Sequence, residues 1–75
     1  MIVKPAYYLI ENCKCEAYVQ EIAVCIFWRR WYWKAKFYYE GECTPYDIFD
    51  GTELTEQEAI DSCLSKYGEL FPSDD

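Results

Sequence analysis

The residues of this 75-residue chain best suited to chemistry are its five cysteines, Cys13, Cys15, Cys25, Cys43 and Cys63. Cys13, Cys15, Cys43 and Cys63 together would supply the four thiolates of a tetrahedral zinc site and make a metal-stapled module. Their spacing follows none of the standard knuckles. The simpler reading is a cysteine pair in a turn, Cys25 on a strand and Cys63 as a small core residue on the inner face of a helix. The chain has no histidine, which removes the commonest general base and the commonest zinc ligand together. Ser62 and Ser65 have no base near them in sequence, and the scattered glycines form no phosphate-cradling loop. Asp50-Gly51 suggests a calcium loop, but aligning Gly51 with the invariant glycine puts Tyr46, Ile48 and Gln57 where anionic oxygens are needed. Asp50-Gly51 therefore reads as a turn. No catalytic residue and no cofactor are assigned, and the expectation is a protein that binds rather than reacts.

Two charged constellations are candidates for binding. Residues 1–39 carry six basic and three acidic side chains, a net of +3, whereas 40–75 carry one basic and eleven acidic, a net of −10. Glu40, Glu42, Asp47, Asp50, Glu53, Glu56, Glu58 and Asp61 fall within 22 residues that contain no lysine or arginine. Such a surface can imitate phosphate spacing and speed encounter with a basic partner; the competing role is solubility. The residues assigned to this partner-binding surface are Glu40, Glu42, Asp47, Asp50, Glu53, Glu56 and Asp61. The second constellation is aromatic and basic. Phe27, Tyr32, Lys34, Lys36 and Tyr38 would share one sheet face, a combination that binds single-stranded nucleic acid by stacking and phosphate contact. The overall charge of −7 opposes that use. Tyrosines and lysine stems also simply cover sheets, with Glu21 diagonally across from Lys36 as a rim pair.

In size, acidity, aromatic richness and lack of catalytic groups the chain is similar to small phage- or mobile-element-encoded inhibitors of host machinery, among them anti-restriction and anti-CRISPR proteins. That resemblance, one of composition, implies a stoichiometric inhibitor working through an acidic surface. The N-terminal residues lack the apolar run of a secretory signal, and no stretch is long enough to span a membrane. With an odd number of cysteines, a cytoplasmic protein with reduced thiols is the expectation, in a host cell if phage-encoded.

These side chains must be positioned by a small α+β fold. Aromatic residues make up 20% of the chain, enough to fill the core of so short a domain. Three antiparallel strands are expected over about 2–11, 17–28 and 31–40, with one helix from Thr55 to Tyr67 on one face. In the third strand Trp31, Trp33, Ala35, Phe37 and Tyr39 alternate with Tyr32, Lys34, Lys36 and Tyr38, a period of two with the first set facing the core. A turn at Arg29-Arg30 would set Ile26 opposite Trp33, Val24 opposite Ala35 and Ile22 opposite Phe37. Residues 16–28 also fit a helical face, which gives the alternative order β-α-β-α. Residues 43–54 read as a loop. Thr55-Glu56-Gln57-Glu58 is a capping box. Ile60, Cys63, Leu64 and Tyr67 form the inner helical stripe, and Gly68 ends the helix. Residues 1–71 form one domain, residues 72–75 are expected to be a disordered tail, and an exposed sheet face or edge could support a homodimer.

Overall fold

The computed structural model describes residues 5–25 and 28–71. Phe27 and the expected tail at 72–75 lie outside them. The described residues form four strands and one helix: β1 (Tyr7–Glu11), β2 (Cys15–Cys25), β3 (Trp28–Phe37), β4 (Asp47–Glu53) and α1 (Glu56–Leu70). The strands make one antiparallel meander in the order β1-β2-β3-β4. The helix packs on one face of it, against β2, β3 and β4.

The α+β class and the C-terminal helix are as the sequence leads one to expect; the strand number is not. The segment expected to be a loop contains β4. Each face of β4 carries a single large apolar residue, Phe49 on the helix side and Ile48 on the other, so alternation is faint. Asp50-Gly51 is not a turn. Gly51 pairs with Trp33 in mid-strand, and a Cβ there would stand 2.9 Å from the indole Nε1. Glycine is present because the ring lies against the backbone. The alternative helix over 16–28 is replaced by strand wherever the range is described: β2 runs through Cys25, and β3 begins at Trp28.

The hairpin register also differs. Cys15, Ala17 and Val19 lie opposite Phe37, Ala35 and Trp33. Ala35 thus faces Ala17 rather than Val24, and a slip by an odd number turns β2 over. The larger even-numbered residues Tyr18 and Ile22, which suggested the other register, are not in the core set. Close packing favours this solution, because the bulky rings of Trp33 and Phe37 leave room only for small neighbours. Arg29 and Arg30 consequently sit within β3, opposite Ala23 and Ile22.

The core is Cys15, Ala17, Val19, Trp33, Ala35, Phe37, Ala59 and Cys63. Its centre is made of small residues, which lets α1 lie close to the sheet. Phe49, Tyr67 and Phe71 close its margin, with Phe71 5.8 Å from the Phe37 ring and 5.1 Å from Tyr67. The inner helical stripe is centred on Ala59 and Cys63, with Ile60 and Tyr67 beside them, whereas Leu64 is exposed. Tyr39 lies beyond β3, exposed and stacked on Tyr46 at 4.3 Å, so it is not a core residue.

Thr55 caps the helix with its hydroxyl, which accepts from the Glu58 N–H at 3.2 Å. The Glu58 carboxylate bonds that same hydroxyl at 3.0 Å instead of the Thr55 backbone. Gly68 lies inside the helix; Phe71 is its C-cap, and its N–H reaches Tyr67 O.

Candidate acidic surface

The proposed acidic residues follow β4 along the sheet edge, and α1 continues the series. Asp47 and Glu53 fall on the helix side of β4 and Asp50 on the other, as strand alternation requires. Glu40 and Glu42 belong to the loop before β4, which turns at Gly41 with φ +81°. Beyond β4, Thr55 caps a helix whose first turn contains Glu56 and Glu58, where the helix dipole favours negative charge. Asp61 follows on the exposed side of the helix.

The partners of these carboxylates are the distinctive feature. Tyr7 of β1 reaches across to Glu56 through its hydroxyl. Tyr32 donates to Asp50 Oδ2 at 3.0 Å. Glu53 Oε2 accepts from the Trp33 indole and from the Ser62 hydroxyl, each at 3.2 Å. Gln57 Nε2 donates to Asp61 Oδ1 at 2.9 Å, and the Ile48 N–H to Asp47 Oδ1 at 3.1 Å. Every one of these donors is neutral. The ion pairs among the described residues are Arg29–Glu21 at 3.2 Å and Lys66–Glu69 at 3.1 Å, and neither involves an acid of the 40–61 segment. The hydrogen-bonded carboxylates are therefore oriented without an ion pair among the described residues, with Lys34 across from Asp50 on the neighbouring strand. Glu40 and Glu42 are exposed and have no side-chain partner among the described residues.

The donors record the arrangement in their own acidities. A hydrogen bond to Glu56 pushes the Tyr7 hydroxyl up to about 12. Burial, then the bond to Asp50, does the same for Tyr32. Tyr38, which donates to Glu16 at 2.6 Å, is also raised to about 12, first by that bond. Tyr7, Trp33 and Ser62 were not evident as supports, because each meets an acceptor on a different element; Gln57 meets its acceptor one helical turn on.

The uncovered sheet face holds Tyr32, Lys34 and Lys36, with Tyr38 just beyond β3. Tyr8, Tyr18 and Tyr32 form a diagonal row with ring centroids 5.7 and 6.2 Å apart. Gln20 lies opposite Tyr32; Lys34 faces Asp50, and Lys36 faces both Glu16 and Ile48. Glu21 pairs with Arg29 rather than with Lys36. Acids are thus interleaved with this basic face.

The four-thiolate arrangement is not assembled. Cys15 and Cys63 are buried in the core, while Cys13 and Cys43 are exposed. Burial raises both core thiols to about 11, Cys15 further through its neighbour Cys63 and then Glu16. Among the described residues no three metal-ligating side chains cluster, and no helix is long and apolar enough to cross a membrane. No protein-family model, curated protein or solved structure matches the chain.

Proposed function

We propose that this chain is a non-enzymatic protein-binding module whose acidic β4–α1 flank docks on a basic, nucleic-acid-binding surface of a partner protein. One observation carries the reading: the flank's carboxylates are positioned by neutral donors, so their charge remains available to a partner while their conformational freedom is already reduced. From its first to its last residue, at about 3.4 Å per step, the seven-residue β4 is about 20 Å long. Counted the same way, that is the axial reach of about seven successive phosphates on one strand of duplex DNA. The partner class is a nucleic-acid-handling protein such as a restriction or CRISPR effector, and the action is stoichiometric occlusion of its groove.

The test uses basic nucleic-acid-binding proteins loaded with fluorescent duplex DNA. The native chain releases the DNA from its target, and Glu42→Lys/Asp47→Lys/Asp61→Lys, still folded, does not. Equal release by both forms, or release by neither from any such protein, refutes the proposal.

The tyrosine row beside Lys34 and Lys36, which lack an ion pair among the described residues, favours a second reading. In it Tyr32, Lys34, Lys36 and Tyr38 bind single-stranded nucleic acid. Absence of binding to single-stranded oligonucleotides at low salt ends that reading.

A further inference from the structure

Among the cysteines whose burial is described, the exposed ones, Cys13 and Cys43, are 30 positions apart in sequence, yet they line the same cleft. Its volume is about 310 Å³, and Asn12, Glu16, Tyr38 and Glu42 complete its walls. Both segments that carry the thiols are braced. On one side, Asn12 Oδ1 accepts from the Lys14 N–H at 2.9 Å and the Cys15 N–H at 2.8 Å. The Asn12 N–H in turn donates to Cys15 O at 2.9 Å. On the other, the Glu42 N–H closes on Tyr39 O at 3.0 Å, and Tyr39 stacks on Tyr46 to hold the neck of the loop. The two sides are tied together by Tyr38 N–H to Lys14 O at 2.9 Å and by the Tyr38 hydroxyl to Glu16. The fold therefore holds one pair of thiols at a shared solvent-open cleft and keeps Cys15 and Cys63 in the core.

We propose that Cys13 and Cys43 form a dithiol site that exchanges with small-molecule disulfides of the glutathione class and closes to an intramolecular disulfide. The thiolate of one cysteine attacks a sulfur of glutathione disulfide, breaking that S–S bond and releasing one glutathione, which takes up a proton. The second cysteine then attacks the protein sulfur of the mixed disulfide and expels the other glutathione. Two protein thiols are oxidised and one glutathione disulfide is reduced to two thiols, so the exchange balances without a further oxidant. The product ties the turn between β1 and β2 to the loop carrying Glu40 and Glu42.

The experiment exposes the folded native chain, Cys13→Ser and Cys43→Ser to oxidised glutathione and reads intact mass. Peptides are then mapped after cleavage at Lys14 and at glutamates, which separates Cys13 from Cys15 and Cys43 from Cys63. The native chain loses two hydrogens and yields a Cys13–Cys43 linked peptide. Each single variant instead retains one glutathione on its remaining exposed cysteine. Stable glutathione adducts on both Cys13 and Cys43 of the native chain overturn the proposal. So does a bond from either to Cys15, Cys25 or Cys63, or a lack of any reaction.

Discussion

The Trp33 indole lies against Gly51 and donates across the neighbouring strand to Glu53 at 3.2 Å. One side chain thus joins the core to the acidic edge. It fills space above a residue without a side chain, and it orients a carboxylate on the same strand. The stability of the sheet and the geometry of the proposed docking surface are coupled at this point.

Gly51→Ala tests the packing half of that relationship. A methyl group would meet Nε1 at 2.9 Å and two further ring atoms at 3.2 and 3.3 Å. The ring is buried and hydrogen-bonded, so it cannot swing aside freely. The expected loss, by the usual cost of overpacking, is about 1–3 kcal/mol, read by chemical denaturation. An unchanged midpoint means the ring does not pack there.

Phe37→Ala tests the core itself. Phe37 is fully buried and touches both Phe49 and Phe71. Truncation of such a ring costs about 3–5 kcal/mol, most of the margin of a small domain. Loss of a cooperative thermal transition is expected, and a native-like Tm contradicts the assigned core.

Much of this core was legible beforehand, and the reasons for the failures are physical. Trp33, Ala35 and Phe37 alternate clearly because β3 is central and covered on one side. Thr55 and Glu58 mark the helix start because capping is a local interaction. β4 was hidden because it is an edge strand whose Gly51 serves a ring contributed by another strand. The β2 register was misread because its core positions are its small ones, Cys15 and Ala17. The carboxylate supports were invisible for a related reason: Tyr7 and Glu56 are 49 positions apart, and only the folded sheet brings them together.

Alkaline pH should weaken the fold. The hydroxyls of Tyr7, Tyr32 and Tyr38 rise from 10.0 to about 12 on folding, and the thiols of Cys15 and Cys63 from 9.0 to about 11. A raised folded value means that the neutral form is the one stabilised. The contribution is complete below the unfolded value and disappears as pH climbs through the folded one. The denaturation midpoint should fall between pH 9 and about 12, and tyrosinate absorbance should grow late for these residues. The triple change Tyr7→Phe/Tyr32→Phe/Tyr38→Phe should flatten part of the decline. An equally steep fall in that variant removes the tyrosines from the explanation.

Alkylation separates the four described cysteines. Cys13 and Cys43 are exposed, whereas Cys15 and Cys63 are buried with thiols held near 11. The first two should label rapidly in the folded chain, and the other two only on unfolding. Rapid labelling of Cys15 or Cys63 under native conditions contradicts their place in the core.

The most direct test of the proposed function removes charge while keeping shape. Because the donors to Asp50, Glu53, Glu56 and Asp61 are neutral, an amide oxygen can accept the same bonds. The variant Asp50→Asn/Glu53→Gln/Glu56→Gln/Asp61→Asn should therefore stay folded, its denaturation midpoint lowered only by the helix-dipole contribution of Glu56. Its affinity for the basic partner should fall by at least about tenfold, or about 1.4 kcal/mol, measured by titration at low salt. Undiminished affinity in the folded variant contradicts the acidic flank as the binding surface.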